Sequence, residues 1–573
     1  MMSTARILPF AAPQLAVSRR AAWRLFASPR AAMALAAVLL LTAPELASSN
    51  AGLGGGGRAD AADATFKVVK RARVEKDGAY AVQEQAEQWA PAQTAIIVCD
   101  VWDSHHCLNA VRRVEEMAPR MNQVLEAARA RGVLIVHAPS SCMERYEKHP
   151  GRARAKSAPA AANLPADIGQ WCRHIPSEEK GKYPLDQTDG GEDDDPTEHR
   201  LWHERLAGMG RNPKSPWKAQ IDVLRIDDQD AISDSGVEVW NLFEQRGIKN
   251  VVLLGVHTNM CVLGRPFGLR QMAKNGKNVV LMRDMTDTMY NPQRWPYVTH
   301  YMGNDLIVEH IEKFVCPTIT SVDFIGGQPF RFKNDRRSIL MVIGEDEYKT
   351  NETLPAFADS DLRSRGFQVT IVHSDEKDPN NFPGLTEAAA KADVMLISVR
   401  RRTPPPDQLN AVRAHLAAGK PLVGIRTASH AFSLRNNMPP PEGRAAWLDF
   451  DPAVWGGRYV GHHGVGPKAA LTLAPGAKEH ALLAGLDLSK IVSNGSLYKA
   501  APLEPSTTPL VLGTIPDQPT EPIAWTNTPR VGGGRVFYTS LGHPDDFQNA
   551  EFRKFLVHAL CWTMELAPPG REP

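Results

Sequence analysis

Cys261 is the residue whose surroundings most favour covalent chemistry. It follows a short apolar run at residues 251–254 and a tight turn, and residues 261–274 are rich in Leu, Arg, Gln and Met before they stop at Asn-Gly. This pattern predicts a buried strand, a turn and a helix that starts at the cysteine. Unpaired amides at a helix start favour a thiolate and can bind an oxyanion. The sequence therefore predicts a nucleophilic thiol, with a buried structural cysteine as the alternative.

A carboxylate, an imidazole and a guanidinium belong to other predicted strands. Asp100 follows the apolar run 95–98, His137 ends a run that starts at residue 133, and Arg225 lies in a third segment further on. The carboxyl ends of parallel strands face one crevice, so we expect Asp100, His137, Arg225 and Cys261 to converge there.

The segment GVHTNMCV, residues 255–262, resembles the nucleophile turn of the isochorismatase-like cysteine hydrolases, the superfamily that includes nicotinamidases. The resemblance runs from about residue 94 to residue 317. It implies that Asp100 acts with Cys261 and that the peptide bond before His257 is cis. It also implies that the amides of His257 and Cys261 form an oxyanion hole.

Three departures from that family's pattern indicate an atypical branch. The family has a lysine at a strand end before the cysteine strand, but residues 221–227 contain none, and Arg225 is the nearest cation. An arginine stays protonated, so it would hold Asp100 or bind an anionic group; an ion-paired surface arginine is the alternative. Trp102 and His105 stand where the family has glutamine and an aromatic residue. We expect Trp102, His105 and His137 to line the substrate pocket.

A divalent metal near His105, His106 and His137 is an alternative use of these histidines, because nicotinamidases hold one near this site. The carboxylate–histidine pair that those enzymes place after the second strand is not evident in this sequence. We therefore predict no metal and no cofactor, and we interpret the histidines as hydrogen-bonded polar residues around the pocket.

Residues 140–219 form an insertion with little periodicity that contains Trp171, Trp202 and Trp217. Long irregular segments in compact domains often act as lids, so we expect this one to cover the crevice and set specificity. Its acidic run, residues 186–195, lacks the spacing of an EF-hand loop, and we predict a solvated acidic loop rather than a calcium site.

A second α/β pattern starts near residue 338. Four apolar runs end at residues 343, 373, 399 and 425, and helical patterns lie at 354–365 and 406–418. This alternation predicts a second mostly parallel sheet of flavodoxin-like type.

Three motifs in this half resemble the ThuA-like (trehalose-utilisation) family, a relative of class I glutamine amidotransferases. They are GIRTASHAF, WGGRYVGHHG and GRVFYTSLGHPDDF, and the resemblance covers about residues 338–564. Arg426 stands where those amidotransferases carry a cysteine nucleophile, so no thiol mechanism is expected here. His430, His462, His463 and His543 would line a polar pocket, with ordinary loop and core histidines as the alternative. The resemblance associates this half with carbohydrate.

The chain has 573 residues, too many for one core, and its net charge of +2 argues against nucleic acid as a partner. Seven cysteines without a CxxC pair predict neither a disulfide scaffold nor a zinc ribbon. Arginines followed by an apolar stretch and small residues predict a signal peptide at 1–50 and export; a disordered Ala-rich leader or a misassigned start is the alternative. A linker is predicted at 51–90, with domains at 91–333 and 334–573.

Together these patterns predict an α/β protein of two three-layer domains with mostly parallel sheets. The first is isochorismatase-like, of Rossmann type, and the second is flavodoxin-like, of the class I glutamine amidotransferase kind. The predicted function is cysteine-dependent hydrolysis of a C–N bond in a small molecule, with carbohydrate binding or assembly in the second domain. Two alternatives are a non-catalytic carbohydrate-binding or scaffold protein and sugar chemistry on the second domain's histidines. No membrane span is expected after signal cleavage, and a homodimer is expected on base rates.

Overall fold

The computed structural model describes residues 65–570, apart from residues 77, 530 and 531. This part of the chain contains two sheets of eight strands, both mostly parallel, and a separate two-stranded sheet. Helices pack on both faces of each large sheet, so the predicted α/β class is confirmed. The signal peptide predicted at 1–50 lies outside the described residues. Among those described, we find no helix with the length and apolar character needed to cross a membrane.

Region 1 is the first large sheet with its helices, residues 66–325. Its strands are β1 (Phe66–Lys76), β2 (Ala79–Trp89), β3 (Thr94–Cys99), β4 (Leu134–Ala138), β5 (Ala231–Ile232), β6 (Asn250–Val256), β7 (Asn278–Asp287) and β8 (Thr318–Ile319). Its helices are α1 (Leu108–Ala130), α2 (Pro150–Lys156), α3 (Pro196–Gly208), α4 (Gly236–Arg246), α5 (Leu269–Lys274), α6 (His300–Phe314) and α7 (Val322–Ile325).

The strands of region 1 lie in the order β2-β1-β8-β7-β6-β3-β4-β5, with the last six parallel. β3 and β6 are central neighbours, and Cys99 lies opposite Gly255. A Cβ at residue 255 would lie 2.1 Å from the Cys99 carbonyl oxygen, and the φ of 112° at this position also favours glycine. This close approach brings the residue after β3 and the turn after β6 to one place at the sheet edge.

The core of region 1 has two layers because both central strands are apolar on both faces. One face packs on α1, and its residues include Ile96, Val98, Met117, Met121 and Val124. The other face packs on α4, α5 and α6, and its residues include Ile97, Leu253, Phe243, Leu269 and Ile307. Fully buried parallel strands of this kind hold the sheet edge rigidly.

Residues 66–89, inside the predicted linker, form the β1–β2 hairpin. The two strands pair antiparallel over their full length, and Arg71 of β1 pairs with Thr318 of β8. The linker prediction is therefore wrong for this segment. Most hairpin residues are exposed or half-buried, and an edge hairpin with a solvated face needs few apolar residues, so its sequence does not stand out. Residues 51–64 of the predicted linker lie outside the described residues.

Region 2 is the second large sheet with its helices, residues 338–563. Its strands are β9 (Ser338–Gly344), β10 (Gln368–His373), β11 (Val394–Val399), β12 (Leu422–Ile425), β13 (Gly461–His462), β14 (Ala470–Leu473), β15 (Tyr498–Lys499), β16 (Thr507–Thr514), β17 (Glu521–Asn527) and β18 (Val536–Thr539). Its helices are α8 (Thr350–Phe357), α9 (Leu385–Lys391), α10 (Pro406–Ala417) and α11 (Ala550–Thr563).

The large sheet of region 2 has the order β10-β9-β11-β12-β18-β17-β16-β14. Its first five strands are parallel, and the last three are antiparallel additions. Helices α8 and α11 pack on one face, and α9 and α10 pack on the other. The four predicted strands of this half are present. The boundary predicted between residues 333 and 334 falls between the two large sheets.

The helix predicted at 261–274 is divided in the structure. A helical turn, Thr258–Val262, follows β6, and α5 begins only at Leu269. Gly264, Pro266 and Gly268 lie between them. Proline has no N–H to donate and glycine is a weak helix former, so the helix cannot run through this segment.

Candidate active site

Cys261 lies in the helical turn Thr258–Val262, directly after β6. The Asn259 side chain fixes this turn, because it accepts a hydrogen bond from the Met289 amide at 2.9 Å and donates one to the Met289 carbonyl at 2.7 Å. The peptide bond between Val256 and His257 is cis, as the resemblance implies. His257 directly precedes the turn and Cys261 lies within it, and the role of their amides as an oxyanion hole stays a prediction.

Asp100 follows β3 and is fully buried, with a φ of 49°. Its Oδ1 accepts a hydrogen bond from the Ser140 amide at 2.8 Å, and its Oδ2 accepts one from Arg265 Nε at 2.9 Å. The carboxylate is also close enough to the Cys261 thiol for each group to shift the pKa of the other. The structure thus brings Asp100 and Cys261 together at the ends of neighbouring strands.

The cation beside Asp100 is Arg265, whereas the sequence analysis proposed Arg225. The Arg265 amide donates to the Cys261 carbonyl at 3.0 Å, so the two side chains stand one helical turn apart on the same face. Arg225 is exposed and lies in a segment without a strand, because the strand before β6 is β5 at Ala231–Ile232. The placement of Arg225 at the site is therefore wrong. The i, i+4 spacing from Cys261 to Arg265 was the sequence signal that could have found the cation.

Burial raises the pKa of the Cys261 thiol, and the negative charge of Asp100 raises it further. Burial also raises the pKa of Asp100, although the Arg265 charge acts in the opposite direction. For Arg265, burial opposes the charge, but Asp100 and Cys261 outweigh it and raise the pKa of the guanidinium. The resting thiol is therefore protonated at neutral pH. This differs from the thiolate expected at a helix start, because desolvation and a neighbouring carboxylate outweigh the amides of one turn.

A small cavity of about 20 Å³ lies beside Asp100, and its lining includes Trp102, Ser104, His105 and His257. Ser104 Oγ and both ring nitrogens of His257 are buried without a hydrogen-bond partner among the described residues. Burial lowers the pKa of His257 to about 4 and that of His105 well below its usual range, so both rings are neutral. Unpaired buried polar atoms around a small cavity suit a small polar ligand. Cys261 is not among the residues that line it.

Two of the three predicted pocket residues line this cavity, and the third does not. Trp102 and His105 are both in its wall. His137 is buried in β4, where its Nδ1 lies 3.0 Å from Gln220 Oε1 and its Nε2 lies 3.1 Å from Asp230 Oδ2. The pocket prediction for His137 is wrong, because the residue precedes the end of its strand and points into the layer between sheet and helix.

The three tryptophans of the insertion all contact residues of the site. The Trp171 ring stacks under the Arg265 guanidinium, 4.8 Å from ring centroid to Cζ. Trp202 Nε1 donates to the His105 carbonyl at 2.9 Å. The Trp217 ring stacks on Trp102 with centroids 4.5 Å apart. The insertion therefore lies over the sheet edge.

The acidic run at 186–195 is partly buried, so the prediction of a solvated loop is wrong. Asp193 pairs with Arg113 at 2.8 Å and with His300 at 3.1 Å. Arg113 also donates to Asp287 at 2.7 Å, and Asp287 lies 3.0 Å from the other nitrogen of His300. Burial opposes the charge on His300, but Asp193 and Asp287 raise its pKa to about 9. These alternating charges balance one another, which is why a loop rich in aspartate can be buried.

The three histidines considered for a metal are not brought together as ligands. Both ring nitrogens of His137 have protein partners, and His105 Nδ1 accepts a hydrogen bond from the Cys107 amide at 3.2 Å. His106 points away from the cavity lining, toward the insertion.

The corresponding edge of region 2 carries Arg426, in the turn Arg426–His430 after β12. Its guanidinium is buried, donates to the Ser540 carbonyl at 2.7 Å, and lies over the rings of Tyr348 and Tyr498 at 4.3 and 4.6 Å. A Cβ at residue 495 would lie 2.4 Å from the Arg426 guanidinium, so only a glycine at this position leaves room for the Arg426 side chain.

The four histidines predicted to line a pocket in region 2 have different surroundings. His430 stacks on Tyr459 at 4.4 Å, and His543 lies 6.2 Å from Tyr348, so both flank Arg426. His463 is buried and lies 2.9 Å from Gln518 Oε1. His462 is in β13 and is exposed.

Residues 338–563 match the family model described as ThuA, trehalose utilisation, which confirms that resemblance for less than half of the chain. No curated protein matches the chain.

Three solved structures are similar to parts of the chain. A cysteine hydrolase from Pseudomonas syringae pv. phaseolicola is 16% identical and covers 41% of this chain and 92% of its own, with a TM-score of 0.25. A ThuA-like protein from Parabacteroides merdae is 14% identical and covers 42% and 93%, with a TM-score of 0.30. An isochorismatase family protein from Burkholderia thailandensis is 16% identical and covers 40% and 93%, with a TM-score of 0.23. Similarity at this level carries no conclusion about activity or substrate.

Proposed function

We propose that region 1 is a cysteine-dependent hydrolase of a C–N bond in a small molecule. The observation that supports this most is the buried contact of Asp100, Cys261 and Arg265 at the ends of β3 and β6. A carboxylate with a raised pKa beside a thiol is a proton acceptor placed next to a nucleophile. Burying such groups is unfavourable for folding, so their combination favours a chemical role over a structural one.

The proposed reaction uses Asp100 as the proton carrier. Because the resting thiol of Cys261 is protonated, its proton passes to Asp100 as the sulfur attacks the acyl carbon. The tetrahedral intermediate then breaks its C–N bond, and the departing nitrogen takes the proton from Asp100. Asp100 next accepts a proton from water, the resulting hydroxide attacks the thioester, and the sulfur regains a proton as the acid leaves. Arg265 keeps its proton throughout and balances the charge on Asp100 and on the departing sulfur.

The proposed substrate is small, polar and uncharged. The cavity beside Asp100 offers two neutral imidazoles, the Ser104 hydroxyl and the Trp102 ring. Cys261 does not line this cavity. A substrate bound there must therefore extend beyond Asp100 to place its acyl carbon next to the Cys261 sulfur. We propose that Trp171, which is 44% exposed and packs on Arg265, moves aside when the substrate enters.

The test is a screen of small amides and ureides with the full chain, followed by kinetics of Cys261→Ala. We expect Cys261→Ala to lose turnover and to keep the wild-type fold, as measured by circular dichroism. Cys316→Ala removes another buried thiol of region 1 and serves as the matched control. Full turnover by Cys261→Ala would exclude the mechanism.

We propose that region 2 binds an anionic carbohydrate at the edge that carries Arg426. Among the described residues, Arg401, Arg426 and Arg435 have no carboxylate within 4.0 Å. Burial lowers the pKa of His430 to about 3, and the charges of these arginines and Arg400 lower it further. Positive charge next to the rings of Tyr348, Tyr459 and Tyr498 suits a sugar that carries a carboxylate or phosphate.

Calorimetric titration of the full chain with a neutral hexose, a uronate and a hexose phosphate tests the second proposal. We expect binding of the charged sugars only and weaker binding by Tyr459→Ala, whose ring is half-buried beside His430. If the neutral hexose binds as tightly as the charged sugars, the arginines do not recognise the negative charge of the ligand. If region 2 binds a sugar and the full chain turns over none of the screened amides and ureides, the non-catalytic alternative is favoured.

A further inference from the structure

We propose that the insertion of region 1 holds one zinc ion between α3 and the start of α1. The ligands are drawn from His199 and His203 of α3, Glu192 and Asp194 of the preceding loop, and His106. This group lies behind the cavity wall and takes no part in the proposed hydrolysis.

The two histidines of α3 have the spacing of a metal-binding pair. Residues four apart lie on the same face of a helix, and the rings of His199 and His203 have centroids 3.9 Å apart. His199 Nδ1 contacts Glu192 Oε1 and lies 3.3 Å from Asp194 Oδ2. His199 therefore lies beside two carboxylates and next to the His203 ring.

Unsatisfied atoms in this group point to a missing partner. His106 Nδ1 and His203 Nε2 are buried and have no hydrogen-bond partner among the described residues. Buried ring nitrogens are normally hydrogen-bonded or bound to a metal. His106 is close enough to His203, His199 and Asp194 for their charges to interact with its ring.

Sulfur is also available at this place. One ligand atom each of Cys107, Glu192 and Asp194 lies within 4.8 Å of the others. The Cys107 thiol lies 3.3 Å from Asp194 Oδ1. Imidazole, carboxylate and thiolate together are the ligands that zinc accepts, whereas calcium and magnesium require oxygen.

A metal at this point would join the insertion to the helix that forms the cavity wall. Asp194 Oδ2 accepts a hydrogen bond from the Leu108 amide and Oδ1 accepts one from the Asn109 amide, both at 2.7 Å. These are the first residues of α1, and Ala110 and Val111 line the cavity. The proposed role is structural, because the metal would fix residues 192–203 against α1.

The experiment measures metal content and thermal stability of the full chain. After incubation with Zn²⁺ and exhaustive dialysis, we expect one zinc per chain in the wild type and in His174→Ala, an exposed histidine of the same insertion. We expect the double variant His199→Ala/His203→Ala to keep less than about one tenth of that zinc, since it loses two direct ligands.

Chelation gives a second readout that does not depend on that variant folding. EDTA should lower the Tm of the wild type and of His174→Ala, and Glu192→Gln should bind zinc at least about 10-fold more weakly. A wild type that retains no zinc, or a double variant that retains a full equivalent, would overturn the proposal. So would a wild-type Tm that EDTA leaves unchanged.

Discussion

Each large sheet has an arginine at the edge that carries its proposed site, but the two arginines have opposite surroundings. In region 1, Arg265 donates to Asp100, which is fully buried, and a thiol lies beside the pair. In region 2, Arg426 is more deeply buried than Arg265, and it is held by carbonyl and hydroxyl oxygens and by two tyrosine rings. The positive charge is neutralised at the first edge and left available at the second.

This difference shows that a shared α/β layout does not decide the chemistry at its edge. Both turns follow a short buried parallel strand, Val256 ending one and Ile425 ending the other. The first turn carries a thiol next to a buried carboxylate, and the second carries a cation without a thiol. The proposals of bond cleavage in region 1 and anion binding in region 2 therefore rest on the side chains at each edge and not on the shared layout.

The largest expected effect is on catalysis in region 1. Asp100→Asn keeps the shape of the side chain but cannot accept the thiol proton, so we expect kcat/KM to fall about 10³-fold. The matched control is Asp228→Asn, an exposed aspartate of the same region, which should keep wild-type kcat/KM. If the kcat/KM of Asp100→Asn stays within a factor of ten of the wild-type value, Asp100 is not the proton carrier of the reaction.

The second effect is on stability and compares the two arginines directly. Arg265→Gln leaves the buried Asp100 charge without its cation, so we expect region 1 to lose about 3–5 kcal/mol in urea unfolding. Arg426→Gln should destabilise region 2 by less, since it leaves no buried charge unpaired. The double variant Arg265→Gln/Asp100→Asn should recover part of the loss. Equal losses for both single variants would contradict the contrast between the two edges.

The third effect is on ligand binding in region 2. Arg426→Gln removes the buried charge, so we expect calorimetric affinity for a uronate or hexose phosphate to fall about 10- to 100-fold. Arg402→Gln, which pairs with the exposed Asp346, is the control and should bind normally. Unchanged binding by Arg426→Gln would place the anion site elsewhere.

The smallest effect is on the reactivity of two buried thiols. Burial raises the pKa of Cys561 in region 2 to about 12, and Cys261 has a carboxylate beside it in addition to burial. A raised pKa means that the thiolate forms only at high pH, so iodoacetamide labelling of Cys261, followed by peptide mass spectrometry, should still rise above pH 9. Trp171→Ala should speed this labelling severalfold and leave that of Cys561 unchanged. A rate that levels off below pH 8 would indicate a resting thiolate.

The fold was predictable because its strands are short, apolar and regularly spaced. The runs before Asp100, Cys261 and Arg426 are buried on both faces, and such strands are recognisable from composition alone. The β1–β2 hairpin was missed because one side is solvated and its residues are mostly polar. Its place beside β8 depends on a contact between residues more than 200 positions apart.

The candidate site was predictable only where residues are fixed by a strand end. Asp100 and Cys261 follow strands, so their convergence could be inferred from parallel topology. Arg265 was missed because it follows a helical turn, although its spacing from Cys261 was visible. His137 was misplaced because one residue along a strand reverses the face to which a side chain points.

By itself, the sequence determined the two α/β patterns and the strand ends that precede Asp100, Cys261 and Arg426. It also carried the resemblance to the ThuA family, which the family model confirms for residues 338–563. Only the tertiary structure decided which charges meet, because ion pairs form between residues far apart in the chain. It paired Asp100 with Arg265 and buried Asp193 against Arg113 and His300. It also set the protonation of Cys261, since a thiol's pKa depends on burial and on neighbouring charges that no local pattern records.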